Sequence, residues 1–388
     1  MSKQTKQKIA YLLTVLFSCL YIFLGNKIAT KNNISRDSLS LGVPEKVQVT
    51  QVLDDNYEVT LHGDDASARS ESIILFTAKF LNGYKKGEEV RVVQRIDSMY
   101  AIELRHVKAG DKIIVYANPD ESIDVKYMFA EFYRVDFLIF LAAAFCVLLV
   151  VFGKSKGVNT LISLVFTVIS IFYVFIPAVL NNGNIYFWSI CTCVFIILMT
   201  LLIVSGFTRK SLAAMSGCFS GVCVSGALVL IFDHFVHMTG LVNEDSMYLL
   251  LLNDENPISI KAVIFAAIII GAIGAIMDVS MSISASLAEL KEQVGHMSGA
   301  QITKSGLVIG RDIMGTMANT LILAYIGSSL SVTLLLVAYN SSVLLLFNTE
   351  MIIVELLQAI AGSFGILLTI PLTSVICGIL YADKDVPQ

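Results

Sequence analysis

Residues 260–289 read IKAVIFAAIIIGAIGAIMDVSMSISASLAE, and this stretch decides the fold of the chain. From residue 260 to residue 280 it is almost entirely apolar, over a length with which a helix crosses about 30 Å of hydrocarbon. Near its end Asp278, Ser282 and Ser286 recur every four residues, so they share one face of the predicted helix. Ionisable groups at membrane depth are costly and usually face a bundle interior or a watery path, which makes Asp278 a candidate functional residue.

The composition of the whole chain agrees with this stretch. Of 388 residues, 56% are apolar and 15% are charged, which is typical of a polytopic membrane protein and not of a soluble domain. The net charge is −4 and no block of like charges occurs, so neither nucleic-acid binding nor a polybasic lipid anchor is indicated. All seven cysteines lie in apolar stretches, which argues against a disulfide framework.

Apolar runs predict a mainly α fold with about eight transmembrane helices. These runs lie at about 9–25, 136–152, 158–180, 185–205, 211–232, 260–280, 313–338 and 352–381. Basic residues precede the first run and occupy the short connections on the same side: Lys3, Lys6, Lys8, Lys154, Lys156, Arg209, Lys210, Lys291, Lys304 and Arg311. The positive-inside rule places this side in the cytoplasm, so both termini are predicted to be cytoplasmic and residues 26–134 extracytoplasmic.

The polar segment after the first helix predicts a small all-β domain of the OB-like or SH3-like barrel type. Short β-branched runs alternate with Gly and Asp turn signals. The predicted strands are Val47–Val52, Tyr57–Leu61, Glu89–Gln94, Tyr100–Leu104 and Lys112–Tyr116. Its histidines, His62 and His106, have no partners at ligand spacing and are interpreted as ordinary surface or core residues.

Four segments follow from these patterns. They are an N-terminal membrane anchor helix at 1–29, an extracytoplasmic β-rich domain at 30–130, a seven-helix membrane domain at 131–381 and a cytoplasmic tail at 382–388. The first helix has the basic start of a signal peptide, but no A-x-A site follows Leu24, which favours an uncleaved anchor. The aromatic residues Tyr127, Phe129, Phe132 and Tyr133 are interpreted as interface anchors before the second helix.

Two further predicted helices carry polar residues at depth. Arg311 and Asn319 lie on one stripe of the seventh helix, and Asn319 is about 12 Å above Arg311, inside the hydrocarbon. Arg311 has three open roles: pairing with Asp278, pairing with Asp312, or snorkelling to the interface. In the last helix a small or polar stripe begins at Glu355 and is expected to face protein or water. Whether Glu355 itself is embedded or interfacial stays open.

That stripe comprises Glu355, Ala359, Gly362, Ile366, Thr369 and Thr373. In the fifth predicted helix Gly217, Gly221 and Ser225 also recur at intervals of four. Small residues in such a row allow a neighbouring helix to approach closely. The row therefore predicts helix packing and not a ligand site.

Three stretches carry a resemblance to a known family. They are Met277–Ser284 (MDVSMSIS), Ile309–Tyr325 (IGRDIMGTMANTLILAY), and Glu355 with Gly362–Gly365 and Pro371–Thr373. Over roughly residues 130–381 the chain resembles the YibE/F-like family of bacterial membrane proteins. The resemblance implies a polytopic bacterial membrane protein and a possible transporter, and it supplies neither a substrate nor catalytic residues.

Motifs for other activities are missing from the sequence. Gly153-Lys154-Ser155 is similar to the end of a phosphate-binding loop, but Leu148 stands where that motif needs glycine. No H-E-x-x-H motif occurs, and the one G-x-S-x-G spacing, Gly153–Gly157, adjoins a predicted span. The sequence therefore predicts no enzyme, no catalytic residues, no cofactor and no metal site.

Two functional hypotheses remain. In the first, the chain is a secondary-transporter-like permease for an unknown small solute or ion, with a polar path through the last three helices. The path residues would be Asp278, Ser282, Arg311, Asp312, Asn319 and Glu355. In the second, the chain is a non-transporting scaffold or sensor that binds a protein partner through residues 30–130. A homo-oligomer is compatible with either hypothesis, and the lipid bilayer is the common partner.

Overall fold

The computed structural model describes residues 3–31, 43–60, 70–97, 105–118, 125–242, 244–251, 257–339 and 342–382. The chain divides into two compact units, one within residues 35–148 and the other within residues 1–34 and 149–388. The first unit contains the strands and the second contains most of the helices.

The helices dominate the described chain. In order they are α1 (Lys3–Ala29), α2 (Val135–Ser170), a π-helical turn (Ile171–Phe175), α3 (Ile176–Leu180), α4 (Ile185–Ser205), α5 (Arg209–Val236), α6 (Glu244–Leu251), α7 (Ile260–Val294), α8 (Gly299–Ser328), α9 (Leu330–Tyr339), α10 (Val343–Leu346) and α11 (Glu350–Tyr381). Among the described residues, seven helical runs are long and apolar enough to cross a membrane.

The strands form a closed five-stranded barrel. They are β1 (Glu45–Thr60), β2 (Ser70–Phe80), β3 (Glu89–Asp97), β4 (Lys112–Ala117) and β5 (Tyr127–Phe132). Their order around the barrel is β1-β2-β3-β5-β4, with β4 pairing back to β1. The β3–β5 pair is parallel and the other pairs are antiparallel. The prediction of a small β-barrel is therefore confirmed.

Alternating residues fill the barrel interior. Val47, Ile74, Phe76 and Val92 are completely buried, as the period of two in a strand with one covered face requires. Gln94 is also buried, and its amide joins β3 to the segment before β4. It donates to the Arg105 carbonyl at 3.1 Å and accepts from the Val107 amide at 3.1 Å.

The predicted strands were incomplete in two places. β2 was not predicted, and β5 occupies residues that were interpreted as interface anchors. Phe129 and Phe132 instead pack against the barrel core, with ring centroids 5.1 Å apart. That interpretation was wrong, because these residues form a strand that pairs with β4, although the next helix begins only a few residues later. The predicted strand Tyr100–Leu104 and His62 lie outside the described residues.

The second and third predicted spans fall within one helical run of 46 residues, Val135–Leu180, so seven candidate runs replace the eight predicted. A straight helix of that length would measure about 69 Å, more than twice the hydrocarbon thickness. The run is broken at Lys154, where φ is 48°. A Cβ placed on Gly157 would lie 3.2 Å from the Cα of Val150. In a continuous helix these two residues, seven apart in sequence, would be separated by about 10 Å along the helix axis. The chain therefore turns back on itself at Lys154.

The seventh predicted span also differs. α8 begins at Gly299, and a capping box between Ser298 and Gln301 fixes this start. Only residues 295–298 separate α7 from α8, so Lys304 and Arg311 lie on the helix and not in a loop. The predicted run to residue 338 is divided between α8 and α9.

The first helix belongs to the helical unit. Tyr21 of α1 stacks on Phe195 of α4 with ring centroids 4.0 Å apart. The Asn26 side-chain amide donates to the Tyr173 carbonyl at 2.6 Å, and the Asn181 amide donates to the Ala29 carbonyl at 2.8 Å. These contacts fix α1 beside α4 and the π-helical turn.

One end of the helical unit gathers several termini. A cavity of about 630 Å³ is lined there by Gln7 of α1, Lys210 of α5, Lys291 of α7 and Tyr381 of α11. We call this end the basic end. The start of α1 and the end of α11 therefore lie on the same side of the bundle.

Candidate functional site

The core of the helical unit includes a close contact between α5 and α11. A Cβ placed on Gly217 would lie 2.9 Å from the Cβ of Thr373, and one on Gly221 would meet the Thr369 hydroxyl. Ser225 donates to the Ala361 carbonyl at 3.2 Å. The close approach predicted from the row of small residues is confirmed.

The polar stripe of α11 faces protein. Its buried members are Ala359, Gly362, Ile366, Thr369 and Thr373. The two threonines are completely buried, and Thr369 satisfies its hydroxyl by donating to the Gly365 carbonyl at 2.6 Å. The stripe therefore serves helix packing below Glu355, which leaves Glu355 as its one charged member.

Glu355 lies where α7, α8 and α11 meet. Its carboxylate is close enough to the Tyr325 hydroxyl for an electrostatic interaction, and Ser329 is its hydrogen-bonding neighbour. Ser329, the residue that ends α8, also donates to the Tyr325 carbonyl of the same helix at 2.9 Å. On the α7 side, a Cβ placed on Gly271 would lie 2.5 Å from the Tyr325 hydroxyl oxygen.

Two oxygens at this meeting point are shielded but unpaired. Glu355 Oε2 and the Tyr325 hydroxyl are both buried, and neither has a hydrogen-bond partner in the part of the chain that the structure describes. Buried polar atoms are normally hydrogen-bonded, and leaving one unpaired costs about 1–3 kcal/mol. The pair can therefore bind a proton, a cation or a polar group that completes its hydrogen bonds.

Asp278 and Ser282 occupy the uncovered face of α7. Both are exposed, whereas Ser280 and Ser284 on the other side of the helix are completely buried. Ser284 bonds to the Tyr381 hydroxyl at 2.7 Å. Asp278 makes no hydrogen bond or ion pair with any described residue.

The predicted site residues of α8 also face outward. Gly310 packs on Ile370 of α11, and Asn319 lies about 180° around the helix from Gly310. Arg311, Asp312 and Asn319 are all exposed. Of the roles left open for Arg311, pairing with Asp278 or Asp312 is not observed among the described residues.

The six predicted path residues are thus not joined to one another within the described chain. Asp278 lies seven residues beyond Gly271, or about 10 Å further along α7 than the Glu355 cluster. The structure places Glu355 in a shielded cluster and the other five on uncovered faces of α7 and α8. The Tyr325 and Ser329 partners were not predicted, although Tyr325 closes the stretch that carried the family resemblance.

Glu350, at the start of α11, has a structural role that the sequence did not indicate. Its carboxylate accepts from the amide and hydroxyl of Thr239, both at 2.7 Å, and from the amide of Gly240 at 2.5 Å. These groups belong to the loop after α5. Glu350 therefore joins α11 to the loop after α5, whereas Oε2 of Glu355, five residues later, has no hydrogen-bond partner among the described residues.

No group of three or more His, Cys, Asp or Glu side chains with metal-binding geometry occurs within the described ranges. All seven cysteines are unpaired thiols. The described site is a carboxylate–phenol pair, Glu355 and Tyr325, between helices.

Fold and site together define a class: a mostly helical protein of multi-pass membrane character, with a small β-barrel and a shielded carboxylate between helices. Comparison with known proteins agrees with this class. The chain belongs to the YibE/F-like protein family, whose match covers residues 141–383. No curated protein and no solved structure matches the chain.

Proposed function

We propose that this protein is a secondary-transporter-like permease of the bacterial cytoplasmic membrane, and that Glu355 is its exchange group. The observation that carries the proposal is the shielded, unpaired oxygen of Glu355 beside the unpaired Tyr325 hydroxyl. Carboxylates at membrane depth mark ion pathways and proton relays. A group that must bind and release a proton or cation in each cycle cannot be permanently neutralised by a salt bridge.

The remaining polar residues would form the route that leads to Glu355. Asp278 and Ser282 on α7, and Asn319 on α8, lie on uncovered faces and toward the basic end relative to Glu355. Arg311 and Asp312 lie closer still to that end. A lateral polar surface of this kind attracts water or a hydrophilic solute, because lipid tails cannot satisfy its polar groups. The cargo is a small solute or ion, and the proposal contains no catalytic step.

The proposed topology has eight crossings with both termini in the cytoplasm and residues 26–134 outside. The reversal at Lys154 supports two crossings in the run Val135–Leu180. The cavity at the basic end supports the common side of both termini, since Gln7 and Tyr381 line it together. The cationic residues at that end then face the cytoplasm, as the positive-inside rule requires.

The experiment is a flux assay with purified full-length protein in liposomes. A membrane potential is imposed, and a trapped pH-sensitive dye reports proton entry. We expect flux above that of empty liposomes, loss of this flux in Glu355→Gln, and a reduced rate in Tyr325→Phe. Glu289→Gln makes the same chemical change at the exposed end of α7 and should leave the flux intact.

Thermal unfolding of each variant separates function from folding. Glu355→Gln keeps the size and shape of the side chain and removes a shielded charge, so the variant should be at least as stable as the parent. Undiminished flux in a folded Glu355→Gln variant would remove Glu355 from the mechanism. No flux of protons or of any tested solute in the folded parent would reject the permease.

The scaffold or sensor is the second candidate function. Its support is the barrel, which forms part of a separate compact unit and has the strand order of an OB-like module with a parallel β3–β5 pair. OB-like barrels commonly bind ligands on one sheet face and its loops. A partner captured from the extracytoplasmic side by the full chain, and lost when the exposed barrel surface is changed, would favour this function if flux is absent.

A further inference from the structure

We infer that the cavity at the basic end is a binding site for a phosphate-bearing anion, with the headgroup of an anionic phospholipid as the favoured source. The cavity has a volume of about 630 Å³, within the range of about 300–1,000 Å³ that ligand sites occupy. Its walls come from α1, the α4–α5 connection, α7 and α11. This inference is independent of the proposed transport activity.

The charges that line the cavity favour an anion. Among the lining residues that the structure describes, Arg209, Lys210 and Lys291 are cationic and Glu292 is the one acidic residue. The side chains of Arg209 and Lys210 form no ion pair or hydrogen bond with the rest of the described chain. Two cations without partners in the described chain, both lining a cavity of this size, are suited to a phosphate group.

The backbone adds a second contribution at the same wall. α5 begins at Arg209, and a capping box between Thr208 and Ser211 holds the first turn in place. The start of a 28-residue helix carries partial positive charge, which stabilises a nearby anion. Thr208, Arg209 and Lys210 all line the cavity, so side-chain and backbone charges act on the same volume.

The apolar part of the lining favours a lipid over a soluble phosphate. Phe207 is 61% exposed, and Ala10 and Ala288 line the cavity beside it. These residues lie at the ends of apolar helices, where a headgroup and the first carbons of an acyl chain would be found. Basic pockets between transmembrane helices on the cytoplasmic side bind anionic headgroups in this way.

The test uses full-length protein in detergent, titrated with phosphatidylglycerol, phosphatidylcholine or inorganic phosphate. Bound lipid is counted by native mass spectrometry, and thermal unfolding reports binding of phosphate. We expect the parent to bind phosphatidylglycerol more tightly than phosphatidylcholine. Each cation near the surface is worth about fivefold in affinity, so the double variant Arg209→Gln/Lys210→Gln should bind about 25-fold more weakly. Lys304→Gln removes an exposed cation of α8 outside the cavity and should bind as the parent does.

Stabilisation by inorganic phosphate without retention of phosphatidylglycerol would support the anion site and reject the lipid source. Equal binding of the two lipids, or an equal loss in Lys304→Gln, would overturn the inference, because both indicate unspecific attraction. If the double variant does not fold, the salt dependence of phosphatidylglycerol binding by the parent tests the inference instead. An affinity for phosphatidylglycerol that does not fall as salt rises would contradict a charge-based site.

Discussion

Gly221→Ala is the substitution whose effect the structure specifies most closely. The added methyl group would lie 2.9 Å from Cγ2 of Ile276 and 3.2 Å from the Gly365 carbonyl oxygen, and it would collide with the Thr369 hydroxyl. The first two atoms belong to a completely buried side chain and to the backbone of α11, so neither can move freely. The contact between α5 and α11 must open or the threonine must turn.

The magnitude follows from two contributions. Overpacking of a tight interior costs about 1–3 kcal/mol. Turning Thr369 breaks its hydrogen bond to the Gly365 carbonyl, 2.6 Å long and fully buried, which adds about 1 kcal/mol. We expect Gly221→Ala to lower the free energy of unfolding by about 2–4 kcal/mol.

The assay is thermal unfolding of the full-length protein in detergent, followed by the loss of the monodisperse peak in size-exclusion chromatography. Gly274→Ala is the matched control, because a Cβ there has no described heavy atom within 4 Å. It should be neutral or stabilise by up to about 1 kcal/mol through helix propensity. Thr369→Ala removes the colliding hydroxyl, so in that background Gly221→Ala should cost less, by about 1 kcal/mol or more.

A Gly221→Ala variant as stable as Gly274→Ala would refute the close contact between α5 and α11. A cost that is the same with and without the Thr369 hydroxyl would show that the collision is with Ile276 or the backbone alone. The double-mutant comparison thus identifies which neighbour resists the methyl group.

Two further predictions concern other parts of the molecule. Glu350→Ala removes three hydrogen bonds to a carboxylate, so it should destabilise the loop after α5 by roughly 1.5–3 kcal/mol. Hydrogen exchange of the loop amides should become faster, and unchanged exchange would contradict the role of Glu350 in joining α11 to this loop. In the barrel, hydrogen bonds from Lys85 to the Tyr127 hydroxyl at 2.5 Å and the Glu45 carboxylate at 2.9 Å raise the pKa of the Lys85 amine. The stability that these bonds contribute is complete below the pKa of lysine in the unfolded chain, about 10.4, and is lost as the pH rises through the higher pKa of Lys85 in the folded protein. An alkaline titration followed by circular dichroism should therefore show a loss of folded structure in the parent that Lys85→Met lacks. An identical alkaline profile for both proteins would count against it.

The helices were largely predictable because apolar length is a local property of the chain. The run 185–205 coincides with α4, and α11 covers the predicted run at 352–381 with two more residues at its start. The start of α8 was misplaced because Arg311 and Lys304 look like loop residues, whereas the capping box at Ser298 begins the helix earlier. Charge at the edge of an apolar run is thus a poor marker of a helix end.

The barrel was predicted in kind but not in detail. β5 was assigned to the membrane interface because aromatic residues before an apolar run are common in both settings. Its parallel pairing with β3 joins Val92 to Tyr127, residues far apart in sequence. Turn signals and alternation report the strands near them and carry no information on such a pair.

The site shows the same division most clearly. The polar residues themselves, the family and the stripe of α11 followed from the sequence, since residue type and helical period are written along the chain. Only the tertiary structure decided that Glu355 meets Tyr325 while Asp278 stays on an uncovered face, because the covered side of a helix depends on which distant helices cross it. The Gly and Ser rows of α5 allow a close approach to any partner, and long-range packing alone selected α11.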